Sequence, residues 1–120
     1  MKNLKLMIVE DEILIGLQLK TDLSRAGYAV IGPVSTGSEA VSLAQSEKPD
    51  IVVLDLRVMG ALDGIETARQ LNAIFTPWIM FTTGYQDLDL KEVAMEFKPL
   101  AYLVKPVDWR DIDTAVRSKV

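Results

Sequence analysis

The 120-residue sequence contains no cysteine and no histidine. Together these absences exclude thiol nucleophiles, disulfides, Cys/His zinc sites and Ser-His triads, so any chemistry falls to carboxylates, hydroxyls and lysines. Basic residues are in the minority, 13 Lys and Arg against 17 Asp and Glu, giving a net charge of −4 and a pI near 4.8. No basic stripe stands out, which argues against nucleic acid as a direct partner. Long apolar runs are missing too: no segment approaches the roughly 18 residues of a membrane span. The apolar stretch in "MKNLKLMIVEDE" is too short for a signal-peptide core and runs at once into acids. These features predict a soluble, cytoplasmic protein with no membrane partner. There are no internal repeats, linkers or low-complexity segments. With 49% hydrophobic and 25% charged residues, the chain has the material for one core, and residues 1–120 read as one domain.

The apolar material is arranged in alternating segments. Residues 4–9, 28–34, 50–55, 78–82 and 100–105 read as strands, with helical composition over 12–26, 37–48, 64–75, 86–97 and 108–119. The run Ile51-Val52-Val53-Leu54 has the character of a strand buried on both faces, as in parallel sheets under helices. Ile15, Leu19, Leu23 and Ala26 recur at helical spacing and predict a core-facing stripe, ended by Gly27. "TGSE", Thr36 to Glu39, has capping-box spacing, a better account of its glycine and hydroxyls than phosphate binding. Strands alternating with helices predict an α/β fold with a doubly wound, five-stranded parallel sheet and helices on both faces.

In that architecture ligands sit beyond the C-terminal ends of the strands. The first strand runs into Glu10-Asp11, the third ends on Asp55, the fourth on Thr82-Thr83-Gly84 and the fifth on Lys105-Pro106. Each pair of carboxylates held about 4 Å apart costs about 4 kcal/mol at an effective dielectric near 20, so the cluster needs compensation. Lys105 offers an ammonium, and a bound hard cation offers the rest. Carboxylate oxygens without His or Cys suit Mg²⁺ or Mn²⁺. Such sites often leave positions for phosphate oxygens, which points to phosphoryl chemistry.

In this order and at these strand ends, Glu10-Asp11, Asp55, Thr83-Gly84 and Lys105-Pro106 resemble the signature of response-regulator receiver domains of two-component signalling, across residues 4 to 119. The resemblance implies a flavodoxin-like (CheY-like) strand order 2-1-3-4-5 with five helices. It implies that Asp55 accepts a phosphoryl group from a phosphohistidine on a histidine kinase or histidine phosphotransfer protein. Asp11, Asp55 and the backbone carbonyl of Arg57 would ligate the metal, with Glu10 acting directly or through water. Lys105 would pair with Asp55 and then with a phosphate oxygen, and Thr83 would donate to another. Gly84 leaves room for the phosphoryl group, which favours Thr83 over Thr82. Tyr102 matches the family's aromatic switch, relaying the event to a downstream protein through the helix 4–strand 5–helix 5 face. Such a module catalyses only its own phosphorylation and dephosphorylation. Asp63-Gly64 reads as a turn into the third helix, without chemistry.

Several positions depart from the common pattern. The loop "DLRVMGALDG" lacks the usual proline and reaches its glycine nine residues after Asp55, as in a "GxxDG" subgroup of receivers. Arg57 and Tyr85 stand where the family tunes access of attacking water, and this bulky pair predicts slow hydrolysis. Ile13, Leu14 and Leu17 lie off the core-facing stripe and, with Pro106, form the expected docking patch for a phosphotransfer partner. The end at Val120 fits a stand-alone receiver or a piece of a larger regulator or hybrid kinase. The alternative function is a pseudo-receiver, a protein-interaction module that takes no phosphate. An aspartyl phosphatase would carry a second aspartate at position 57, and a flavodoxin-like cofactor binder a hydroxyl- and Gly-rich loop where "VEDEIL" stands.

Overall fold

The computed structural model describes residues 4–58, 60, 63–84 and 88–120, except for the side chains of 88 and 89. Strands β1 (Lys5–Val9), β2 (Ala29–Val34), β3 (Ile51–Asp55), β4 (Trp78–Thr83) and β5 (Ala101–Val104) alternate with helices α1 (Ile13–Arg25), α2 (Gly37–Glu47), α3 (Gly64–Ile74), α4 (Leu88–Met95) and α5 (Trp109–Lys119). The sheet is parallel throughout, in the order β2-β1-β3-β4-β5. This is the expected doubly wound arrangement. Among the described residues no helix is long and apolar enough to cross a membrane.

Strand alternation sorts the core into two layers. Met7, Val9, Val52, Leu54, Ile79 and Phe81 pack with Ala40, Ala44, Ala68, Leu71 and Ala94 from α2, α3 and α4. Leu6, Ile8, Ile51, Val53 and Met80 face the other way, onto Leu19 and Leu23 of α1 and Ile112 and Val116 of α5. β3 is central and all five of its residues are buried, which is why its sequence is continuously apolar until Asp55. Each fully buried large side chain, such as Leu54 or Phe81, contributes about 2 kcal/mol from burial.

Helix ends are fixed by the polar residues preceding them. The Thr36 hydroxyl accepts from Glu39 N–H at 3.1 Å, and the Glu39 carboxylate accepts from Ser35 N–H at 3.2 Å. The expected capping motif is therefore present, with the returning bond one residue earlier than the simplest form. Asp63 caps α3 by accepting from Glu66 N–H at 2.8 Å, and Asp108 with Asp111 forms a full capping box on α5. Asp63→Ala should lower stability by about 1 kcal/mol in denaturant titration, the usual cost of losing an N-cap.

One expectation about packing needs correction. Ile15, read as core-facing, is 42% exposed, and the buried positions of α1 are Gly16, Leu19 and Leu23. The sheet ladder is also irregular at one place: Met7 pairs with Ile31 but Val9 with Val34, so β2 carries one extra residue at Gly32-Pro33.

Candidate functional site

The alternation that builds the α1/α5 layer also places the polar residues at the rim. Continuing Leu6 and Ile8 by two gives Glu10; continuing Ile51 and Val53 gives Asp55; continuing Ala101 and Leu103 gives Lys105. Backbone bonds extend the ladder one residue past β1 and β5. Glu10 N–H donates to Val34 O at 2.9 Å, and Lys105 N–H donates to Thr83 O at 2.7 Å. Two acids and one lysine thus arrive together because their strands are in register, and Asp11 follows Glu10 at the same strand end.

Lys105 Nζ donates to Asp55 Oδ2 at 2.8 Å and lies 3.2 Å from Glu10 Oε1. Asp55 Oδ1 accepts from Arg57 N–H at 2.9 Å, and Glu10 Oε2 accepts from Glu12 N–H at 3.1 Å. The Glu10 and Asp55 side chains are 5% and 3% exposed, whereas Lys105 retains 24%. Burial pushes the Glu10 carboxyl up to about 7, and the neighbouring Asp55 charge adds to this; the Glu12 N–H and Lys105 only partly offset it. For Lys105, burial disfavours the charge, but Asp55 and Glu10 outweigh it and raise its pKa. A single ammonium therefore leaves the acid cluster short of positive charge.

Ligand oxygens of Glu10, Asp11 and Asp55 all lie within 4.8 Å of one another. An all-oxygen, all-carboxylate set suits a hard divalent cation, and a cation held there would offset the burial and the Asp55 charge that push Glu10 up. Asp11 stays half-buried and is not the helix cap: Glu12 occupies the N-cap of α1 and makes no side-chain cap bond.

Thr83 belongs to the other layer. It follows Ile79 and Phe81 on β4, is 1% exposed, and its hydroxyl donates to Gly84 O at 3.0 Å. Tyr102, register partner of Phe81, packs half-buried on that same layer, with Lys91 Nζ 5.5 Å from its ring centroid. Thr82, by contrast, pairs with Asp55 and faces the α1/α5 side. Gly84 is half-buried and the Arg57 side chain is exposed beside Asp55. Tyr85 lies outside the described residues, as do Met59, Ala61 and Leu62 of the variant loop. Ile13, Leu14 and Leu17 are exposed by 51%, 79% and 46%, and Pro106, next to Lys105, is exposed too. Between α1 and α5 a cleft of about 500 Å³ opens, walled by Ile15, Leu19, Val107 and Trp109 and reaching Glu10 and Lys105.

One residue of the site was not legible as such. Gly64 starts α3 with its backbone against the end of β3: a Cβ there would lie 2.6 Å from Asp55 O and 2.5 Å from Leu56 Cα. Its N–H donates to Leu56 O at 3.1 Å. Beyond its helix-starting role, this glycine lets the start of α3 approach the end of β3 closely enough to bond the Leu56 carbonyl.

The family model of the response regulator receiver domain matches residues 6–117. The chain belongs to this family. Among curated relatives, transcriptional regulatory protein PdtaR of Mycobacterium tuberculosis is 36% identical over 116 residues, which cover 97% of this chain and 56% of that one. Sporulation initiation phosphotransferase F of Bacillus subtilis is 30% identical, covering 98% of this chain and 94% of that one. This receiver domain thus spans about half of PdtaR. Among solved structures, the signal receiver domain of a modulated diguanylate cyclase from Desulfovibrio desulfuricans superimposes with a TM-score of 0.87 at 36% identity, over 96% of this chain and 91% of that one. A CheY-like receiver from Methanospirillum hungatei, at 23% identity and a TM-score of 0.86, supports the fold. The chain is therefore a receiver domain of the two-component type, a signalling module with an acidic pocket at the strand ends.

Proposed function

We propose that this receiver is a phosphoacceptor in a two-component phosphorelay, with Asp55 as the residue modified. The observation that carries this reading is the Asp55 carboxylate, buried at the tip of β3 with Lys105 Nζ at 2.8 Å and with Glu10 and Asp11 beside it. An Asp55 oxygen attacks the phosphorus of a partner's phosphohistidine; the P–N bond breaks and its electron pair returns to the imidazole. In this reading Lys105 passes from the carboxylate to a phosphoryl oxygen, and Thr83 donates to another. Glu10, Asp11, Asp55 and the Arg57 carbonyl would hold Mg²⁺ or Mn²⁺, which neutralises charge on the carboxylates and the transferring group. Thr83 and Tyr102 share one layer of the core, which supports a relay from the rim to the α4-β5-α5 face and a downstream protein partner. In this reading the module works in the cytoplasm and has no catalytic activity toward other molecules. Incubation with acetyl phosphate and Mg²⁺ followed by intact mass tests it: one added phosphoryl group is expected, absent without the metal. An unmodified wild-type mass at all donor concentrations would favour the pseudo-receiver.

The donor is read as a histidine kinase or histidine phosphotransfer protein that docks on Ile13, Leu14, Leu17 and Pro106. Their exposure next to the pocket supports this, since a cluster of exposed apolar side chains beside a site often marks a contact surface. The double variant Leu14→Asp, Leu17→Asp should slow transfer from a cognate phosphorylated donor about 10²-fold, with acetyl phosphate labelling unchanged, because charges at the centre of an apolar contact cost several kcal/mol. Equal rates from the protein donor would place docking elsewhere.

Arg57, whose side chain is exposed and whose N–H bonds Asp55, and Tyr85 are read as shields against water. Arg57→Ala should therefore shorten the phosphoryl half-life about threefold, a modest change suited to a rim side chain. An unchanged half-life removes Arg57 from that role.

A further inference from the structure

The acid pair Glu10-Asp11 depends on how β1 hands over to α1, and an unusual feature of the neighbouring strand sits at that junction. At Gly32-Pro33 the β2 strand carries one residue more than β1, so the ladder steps from Met7–Ile31 to Val9–Val34. Gly32 adopts φ +89°, and a Cβ on it would lie 2.7 Å from Ile8 O, so the bulge can be built there only with glycine. Beyond the bulge, Val34 O is the acceptor for Glu10 N–H at 2.9 Å.

Two residues of α1 hold this bulge from above. Lys20 Nζ donates to Gly32 O at 2.9 Å, in a part-buried setting. Gly16 lies against the Pro33 ring: a Cβ at Gly16 would be 2.8 Å from Pro33 Cβ and 3.6 Å from Glu10 Cβ. So Glu10 is tied on its backbone side to the strand just past the bulge, while the helix that begins three residues later rests on the bulge itself. The Glu10-Asp11-Glu12 connection is clamped between these two points.

We propose that the Gly32-Pro33 bulge, clamped by Lys20 and Gly16, sets the position of Glu10 and Asp11 against Asp55, so that Lys20 and Gly16 are positioning residues of the metal-binding pocket. This rests on the phosphoacceptor reading above. The Lys20 ammonium bonds the Gly32 carbonyl, and it acts through that carbonyl, the bulge and Val34. Removing the ammonium frees that carbonyl to turn toward water, and the strand that holds Glu10 loses its fixed geometry. Adding a methyl at Gly16 pushes α1 from Pro33 toward the same result.

Mn²⁺ titration of the metal-free protein, followed by water-proton relaxation, measures the effect without phosphoryl chemistry. Lys20→Met keeps the apolar stem and should weaken Mn²⁺ binding about 10-fold, the scale seen when supporting contacts of metal ligands are removed. Lys20→Arg keeps a donor and should restore binding. Lys5→Met is the control: Lys5 Nζ makes a similar 2.9 Å bond to Glu47 O at the far end of β1, and its loss should leave affinity unchanged. Amide shifts of Glu10 and Asp11 in the metal-free proteins provide a second measure. They should move in Lys20→Met and Gly16→Ala, and not in Lys5→Met. Wild-type affinity and unmoved amides in Lys20→Met would overturn the positioning role and leave the phosphoacceptor reading standing. A wild-type protein that binds no Mn²⁺ would overturn the metal-site reading itself, and the inference with it.

Discussion

Exchange of Asp55 for asparagine should abolish phosphoryl acceptance from acetyl phosphate while leaving the protein at least as stable as before. The first half follows from chemistry: an amide oxygen is too weak a nucleophile to displace the donor, and no second carboxylate of the pocket sits between Lys105 and the Arg57 N–H as Asp55 does. The second half follows from electrostatics. Asp55 is one of the charges that drive the Glu10 carboxyl upward, and both acids are buried. Asparagine keeps an acceptor for Lys105 and removes the repulsion; Lys105 retains Glu10 at 3.2 Å. In metal-free buffer the variant should gain about 1 kcal/mol, as is common when a site's functional charge is removed. Thermal melts with and without Mg²⁺ check this. A large loss of stability in Asp55→Asn would mean that Asp55 is a structural ion-pair partner first, and the functional reading would weaken accordingly.

Gly64→Ala should destabilise the protein by about 3 kcal/mol, the upper end for an overpacked methyl group, and depress labelling of Asp55. Its Cβ would sit 2.5 to 2.6 Å from backbone atoms of Asp55 and Leu56. Backbone in the central strand cannot move aside as a flexible side chain would, because β3 is hydrogen-bonded on both edges. Either α3 lifts off or the end of β3 shifts, and the second outcome displaces Asp55. For a domain of this size the loss corresponds to a fall in Tm of about 10 °C. Gly27→Ala is the informative comparison. Gly27 has φ +109° but open space around a Cβ, so that variant should cost only about 1 kcal/mol, the penalty of the left-handed backbone alone. If the two variants lost equal stability, the close approach of Gly64 would not be what holds the end of β3.

How far the sequence announced this structure depends on the range of the interactions involved. The strands and their order of polar endings were legible because a short apolar run is a local property, and a polar residue closing that run is visible in the run itself. Asp55, Glu10 and Lys105 were therefore found together, each two residues past a core residue of its own strand. Gly64 reads as a turn, since nothing along "GALDG" shows which backbone the chain will touch on its return. The segment "YAVIGPV" reads as an ordinary strand. Its bulge is a relation between β2 and β1, and Lys20 reaches Gly32 O from the helix before it. Ile15 has the spacing of a core residue, yet the cleft between α1 and α5 leaves it partly in water. Helical periodicity identifies a stripe and leaves open how much of that stripe a neighbouring helix will cover.

The central claim is that one particular carboxylate receives the phosphoryl group. Borohydride reduction of the acetyl phosphate-treated protein converts an aspartyl phosphate to homoserine, and peptide mass mapping then locates it. The account predicts homoserine at position 55 and at no other aspartate, with the yield dependent on Mg²⁺. Homoserine at Asp11, or none anywhere in wild-type protein that has been given donor and metal, would contradict it.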